Sequence, residues 1–425
     1  MTEVKYIEDS LVGKKCKPGQ IFNFKIAIPC VDVDEFALLI EHDGQNDANV
    51  KSMIRLADEG KAPYCVSVGV VCGYLTTPDG NTRRMRMNSY DLFDREYGDF
   101  IVYELIPYII EKFSLTISKS PDMHFVSGGS SGGISAFAIA WFHAEYFRRV
   151  YMSSPSFLAM GRGNEIPYLI RKYETKPLRV YEEWSENEPN DYFGWSRGVD
   201  EVAKESLIFS KYDFNYAYFP SEGHCSRYKD ENEAYKRNEW IWQDWKTKPI
   251  KALGNSDRVD KVIPFESGWQ KCSAFPNTPA VVVPEALKDE YKKVILSNDD
   301  QLWYAVEEKG DVVYFYVNNG DYKKENRNLH AVLHTIPRIF ENGVLDMVVD
   351  RADRLFVLTE IGIQCVRSFG LVDVILDLPD SSKPIKIGLA DALYVQTEKG
   401  IYKRKLCQVC VTETDEKRKN SSYYD

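Results

Sequence analysis

The chain has 425 residues, 44% hydrophobic, 28% charged and 13% aromatic, which is too long for one ordinary core and apolar enough for two. A formal net charge of -10 speaks against a nucleic-acid binder held by phosphate contacts, and no stretch approaches the ~18 uninterrupted apolar residues that suit a membrane span. Met1 to Tyr6 shows no basic flank leading into an apolar run, and the nine cysteines lack a pairing framework. A cytoplasmic protein with reduced thiols, no nucleic-acid partner and no membrane partner is therefore expected.

From residue 20 to residue 250, strand and helix signals alternate as a mostly parallel sheet requires. Ile21 to Ile28 alternates like a half-exposed strand. Phe36 to Ile40 and Cys65 to Val71 are near-continuous apolar runs that suit strands covered on both faces. Asn49 to Leu56 has helical spacing, and Gly98 to Phe113 reads as a longer amphipathic helix. His124 to Ser127 is the next strand and Ile134 to Phe147 the helix after it. Arg149 to Met152, Leu178 to Tyr181 and Asn215 to Tyr218 are later strands, and a helix from Asn232 to Trp245 closes the domain, its tryptophans serving the core. Composition turns polar around Thr247 to Asp260, where the linker is placed. Beyond it, over 261–412, the pattern becomes all-β. Leu302 to Val306, Val312 to Val317, Arg354 to Leu358 and Ala392 to Gln396 read as short strands, with turns at Asn319-Gly320, Asn342-Gly343 and Lys399-Gly400. Such repetition favours a partial, propeller-like sheet array.

Gly128-Gly129-Ser130-Ser131-Gly132 matches G-x-S-x-G between a strand and a helix, where the motif has mechanical meaning. A sharp turn there exposes a serine, and the helix behind it offers N–H groups to a developing oxyanion. Ser130 is the preferred nucleophile because the strand runs straight into the first glycine; the shifted register would select Ser131. Of six histidines, His224 follows the last strand of the first domain, where a base belongs in the order serine, acid, histidine. His124 and His143 read as packing residues. The acid lies somewhere in Glu182 to Asp191, and spacing alone does not choose. Oxyanion donors are expected from the N–H of Ser131 and from the loop Glu41 to Gln45, near Gly44 or Gln45. Cys407-Gln408-Val409-Cys410 stands without a partner pair, so no metal is expected.

Glu41-His42-Asp43-Gly44, the Ser127 to Gly133 elbow, Ala140 to His143, Phe147 to Val150, Glu222-Gly223-His224 and Trp242 to Trp245 together resemble the Putative esterase family, which includes enterochelin, feruloyl and acetyl-xylan esterases. The resemblance implies an α/β-hydrolase domain that cleaves a small-molecule ester, such as an acyl-sugar, feruloyl, acetyl or siderophore-type ester, through an acyl-enzyme and without a cofactor. In that family the acid precedes an aromatic-glycine pair. Setting Phe193-Gly194 on that pair places Glu188 at the acid, where aspartate is usual, with Asp191 as second choice. Val349 to Val357, Glu360 to Gln364, Ala392 to Val395 and Gly400 to Tyr402 resemble the later blades of the gluconolactonase and regucalcin propellers. Leu345 falls where that family has a metal-binding aspartate, so a degenerate sheet domain that packs on the esterase, pairs subunits as a homo-oligomer or shapes a substrate mouth is expected. Two rivals remain: a binding or scaffold protein that has lost turnover, and a lactonase acting through the second half.

Overall fold

Val4–Val12 (β1) and Ile21–Pro29 (β2) pair antiparallel along their whole length, and on this hairpin the first unit begins. A computed structural model describes residues 1–157, 163–188, 197–277, 281–336, 338–351 and 353–407. Its contacts divide into two compact units, Met1–Arg171 with Thr175–Gly254, and Lys172–Glu174 with Asn255 onward.

In the first unit, Ala37–His42 (β3) leads into the helix Asp47–Asp58 (α1), then Cys65–Val70 (β4). A hairpin follows, Tyr74–Thr76 (β5) and Thr82–Arg84 (β6). Next come Arg86–Tyr90 (α2), Glu96–Phe100 (α3), Ile106–Phe113 (α4), His124–Gly129 (β7) and Ser131–Phe142 (α5). Arg149–Ser153 (β8), Ile166–Lys172 (α6), Arg179–Asn187 (β9), Arg197–Phe209 (α7), Asp213–Gly223 (β10) and Glu231–Ile241 (α8) complete it. The ten strands form one sheet in the order β10-β9-β8-β7-β3-β4-β2-β5-β6, with β1 on β2. Pairing is parallel from β10 through to β4 and antiparallel around β2.

Burial explains these elements. Every residue of β3, β4 and β8 is buried, as central strands covered on both faces demand. Helix α1 starts at Asn46, whose side chain accepts from the Ala48 N–H, and carries Asp47 in its first turn, where the helix dipole favours a carboxylate. Helix α5 is buried along almost its entire length. Trp242 is fully buried beside Leu39, Phe125 and Ile241, so it belongs to the core as expected. The expected single helix over 98–113 is instead α3 and α4 joined by a π-turn at Ile101–Leu105, where the Ile106 N–H reaches back to the Ile101 carbonyl. Pro107 lies just beyond and cannot supply the N–H that a regular turn would use.

Among the described residues, the second unit contains three four-stranded antiparallel sheets. Gln270–Cys272 (β11) pairs with the last of Pro384–Leu389 (β20), Leu393–Thr397 (β21) and Gly400–Arg404 (β22), in the order β11-β22-β21-β20. Lys293–Leu296, Leu302–Val306, Val312–Val317 and Asn328–Val332 form the second sheet. Asp346–Val349, Leu355–Thr359, Gly362–Val366 and Val372–Leu376 form the third. Val259, Ile263, Phe356, Ile363 and Leu393 share an apolar core, and Glu174 holds Arg404 through both guanidinium nitrogens, at 2.6 and 2.7 Å. These are antiparallel sheets as expected, but their pairing does not establish a propeller. Leu345 packs against that core. Among the described residues, no helix is long and apolar enough to cross a membrane, and no group of three His, Cys, Asp or Glu could hold a metal.

Candidate active site

Ser130 stands between β7 and α5 with φ 57° and ψ -129°, a backbone conformation that costs a non-glycine residue roughly 1–3 kcal/mol. The glycines around it make the turn feasible. A Cβ on Gly128 would overlap the Gly132 carbonyl, and one on Gly129 would press on the Cys225 sulfur at 3.1 Å. Close approach across the turn therefore needs glycine at 128, two positions before Ser130, and it is Ser130, not Ser131, that carries the strained backbone. Ser131 is buried in the first turn of α5.

The histidine loop is fastened to the elbow. The Ser153 carbonyl at the end of β8 accepts both the Ser130 N–H at 2.8 Å and the Cys225 thiol at 3.4 Å. Cys225 N–H also donates to the Ser154 hydroxyl at 3.3 Å. His224, one residue earlier, points Nδ1 at the Glu188 carboxylate in a short hydrogen bond. Glu188 lies just past β9, its side chain 1% exposed. Burial works against a charged imidazole, but the Cys225 sulfur and the Glu188 carboxylate outweigh it and lift His224 to about 9. Asp191 and Phe193-Gly194 lie outside the described residues, as does Cys410.

Of the two amides expected from the β3 loop, the structure separates one from the other. Gly44 donates its N–H to the Val70 carbonyl at 3.1 Å, so it is already committed and Gly44 is corrected as an oxyanion donor. Asp43 N–H lies 3.3 Å from the Tyr90 hydroxyl and Asn46 N–H reaches Glu41 Oε2 at 3.1 Å. Among the described residues, the N–H groups of Gln45 and Ser131 have no acceptor. The loop can pass this close to β4 because Gly69 has no side chain: a Cβ there would overlap the Gln45 nitrogen.

Beneath the loop lies a buried polar network that residue patterning did not reveal. Glu41 Oε2 accepts from the Ser67 hydroxyl at 2.9 Å and Oε1 from Asn49 Nδ2 at 2.8 Å. Asn49 Oδ1 accepts from Arg237 at 2.5 Å, and Arg237 pairs with Glu183 at 2.9 Å over the Tyr151 ring. Glu182 and Glu183 thus sit buried inside β9. The signal was present as a glutamate closing the apolar run of β3 and as acidic residues between Tyr181 and Trp184. Asp91 is also buried, beside the Ser131 hydroxyl; desolvation raises it to about 6 against the pull of Ser131 and Arg86. His42, buried against Tyr90 and Tyr97, is pushed down to about 4 and stays neutral. His124 bonds the carbonyls of Tyr146 and Ser118, and His143 is buried between Asp99 and Glu145. Both are packing residues as expected.

A mostly parallel sheet with a strained serine at a strand-to-helix turn, and a histidine on a carboxylate in the order Ser, Glu, His, defines the first unit as an esterase-like α/β domain. Residues 34–204 match the family model named Putative esterase, while no curated protein matches the chain. Among solved structures, a ferulic acid esterase aligns at 14% identity over 57% of this chain and 98% of its own, with a TM-score of 0.42. The enterobactin esterase of Shigella flexneri aligns at 15% identity over 56% and 59%, TM-score 0.41. The siderophore hydrolase EstB of Aspergillus nidulans aligns at 15% identity over 57% and 96%, TM-score 0.41. The gluconolactonase resemblance of the second half finds no support in these comparisons.

Proposed function

We propose that the first unit hydrolyses carboxylic esters through an acyl-enzyme, with Ser130 as nucleophile, His224 as general base and Glu188 as the acid that orients it. The observation that carries this reading is the pairing of the His224–Glu188 contact with an elbow serine tied to the same loop through the Ser153 carbonyl. In this reading Glu188 holds His224 through Nδ1, and Nε2 is the atom that takes the serine proton. Ser130 Oγ attacks the ester carbon as its proton passes to His224, and the carbonyl oxygen becomes an oxyanion. The N–H groups of Ser131 and Gln45 are the donors for it, each such donor being worth about 3–4 kcal/mol in the transition state. Collapse expels the alcohol with the proton from His224. Water, deprotonated by the same imidazole, then cleaves the acyl-serine. The substrate is a small acylated molecule, and acyl-sugar, feruloyl, acetyl and siderophore-type esters form the panel to screen.

The test is hydrolysis of p-nitrophenyl acetate by the purified chain beside Ser130→Ala and Ser131→Ala, with labelling by a fluorophosphonate. Activity and labelling lost with Ser130 and largely kept with Ser131 are expected. Turnover unchanged in Ser130→Ala would remove the mechanism.

A further inference from the structure

We propose that Glu41 is a positioning residue for the oxyanion loop, its ionised carboxylate holding the Gln45 amide in working geometry and its protonated form releasing it. This rests on the esterase reading above and adds to it a proton-controlled regulation of the same site.

The geometry is a clamp around one residue. Gln45 contributes the uncommitted N–H. Its own side chain donates through Nε2 to the Ser67 hydroxyl at 3.2 Å, and Ser67 donates in turn to Glu41 Oε2 at 2.9 Å. The next residue, Asn46, donates its N–H to that same oxygen at 3.1 Å. Asn49 Nδ2 occupies Oε1 at 2.8 Å. The Gln45 side chain, through Ser67, and the residue that follows it thus end on a single carboxylate that is fully buried. Asn46 carries the restraint further, because its Nδ2 donates to the Tyr228 carbonyl at 2.7 Å, four residues past His224. One carboxylate therefore fixes the oxyanion loop directly and the histidine loop at one remove.

Three donors converge on Glu41, and an ionised carboxylate is an acceptor only. Protonation introduces a fourth hydrogen into that cluster. The Asn46 amide and the Asn49 Nδ2 group cannot reverse their roles. Ser67 can, but its hydroxyl already accepts from Gln45, so a turn of that hydroxyl disturbs the side chain of the residue being positioned. The charged group facing Glu41 is Arg237 from α8, whose guanidinium is itself held by Glu183 on β9, and the titratable groups, both neutral phenols, are Tyr228 from the histidine loop and Tyr6 from β1. Burial pushes Glu41 up to about 7 against the pull of its three donors and Arg237, which places the change of state in the neutral range.

The readout is the slope of the pH profile. His224 must lose its proton near pH 9 to act as a base, which by itself gives log kcat/KM a slope of about one below that pH. With Glu41 also required in ionised form, the slope becomes about two below pH 7. Hydrolysis of p-nitrophenyl acetate from pH 5 to 10 is measured for the parent and Glu41→Gln, with circular dichroism to verify the fold. We expect the parent to show the steeper limb, and Glu41→Gln to lose it while kcat at pH 8 falls roughly 10- to 100-fold with KM little changed. A parent that is active with a slope of one throughout, or a folded variant whose profile matches the parent, overturns the role of Glu41 and leaves the esterase reading standing. A parent that neither turns over ester nor takes up fluorophosphonate defeats the esterase reading itself. If Glu41→Gln does not fold, Ser67→Ala decides: loss of one donor to the carboxylate moves the lower inflection upward by about one pH unit, and an unmoved inflection overturns the proposal.

Discussion

Replacing Glu188 by Gln preserves the shape of the acid and removes its charge. His224 stands at about 9 against an ordinary 6.5, so the folded site favours the imidazolium by roughly 3 kcal/mol. The Cys225 sulfur shares in that rise, and the imidazole is 27% exposed, so screening leaves about 1–2 kcal/mol to the carboxylate. In Glu188→Gln the limb of kcat/KM governed by the base should therefore move down by about one pH unit. On the plateau kcat should fall about 10²–10⁴-fold, because the imidazolium formed in the transition state loses its counter-charge and the tautomer is no longer fixed. Stability carries the same signature with a defined sign. A histidine whose folded value is raised contributes stability that is fully present below pH 6.5 and is lost as the pH rises through about 9. Urea denaturation at pH 6 should thus separate parent and variant, and the two should converge above pH 9. A limb that stays at the parental pH with kcat within about threefold would refute the claim that this carboxylate sustains the base.

Other consequences can be measured separately. Gly128→Ala places a methyl group into the Gly132 carbonyl and should abolish soluble, folded protein, whereas Gly268→Ala, with open space around it, should change stability by less than about 0.5 kcal/mol. Arg237→Met strands the buried carboxylate of Glu183 and should cost about 3–5 kcal/mol in urea denaturation, part of it recovered by adding Glu183→Gln; an unshifted midpoint would show that the pair is not buried. The His42 ring, held near 4 by burial, should show no change in its NMR ring shifts between pH 5.5 and 8.

The elbow was legible in the sequence because its chemistry and its mechanics need the same residues: glycine where the turn folds on itself, serine where strain is tolerated. The proposed base, His224, could be placed from chain order, and its partner Glu188 only through a family resemblance, since the many carboxylates between Glu182 and Asp191 look alike in one dimension. The choice between Gly44 and Gln45 was not legible. A backbone donor leaves no mark on side-chain identity, and only the Val70 carbonyl, brought in from β4, separates them. Strand β1 escaped because much of its surface is exposed, so its residues follow no apolar alternation. The β5–β6 hairpin could have been found from Pro78-Asp79-Gly80, a strong turn signal. In the second unit four strands, Leu302–Val306, Val312–Val317, Leu355–Thr359 and Leu393–Thr397, were readable, but the shorter or more exposed ones between them were not, and the pairing of β11 with β22 is distant in sequence. The buried Glu41, Glu183 and Arg237 contradict the rule that charge lies outside, and only their mutual hydrogen bonds make that exception affordable.

The pairing of β11 with β22 bears on how the second unit comes into being. Gln270 finds its register opposite Lys403, so the sheet's outermost strand is synthesised first and its neighbour last. At ordinary translation speeds the segment between them takes on the order of 10 s to emerge. Through that interval β11 is a strand without a partner, and the Arg404 counter-charge that Glu174 holds has not yet been made. That sheet closes only when its last-made strand meets its first, whereas the other two sheets pair strands adjacent in sequence and need no such wait.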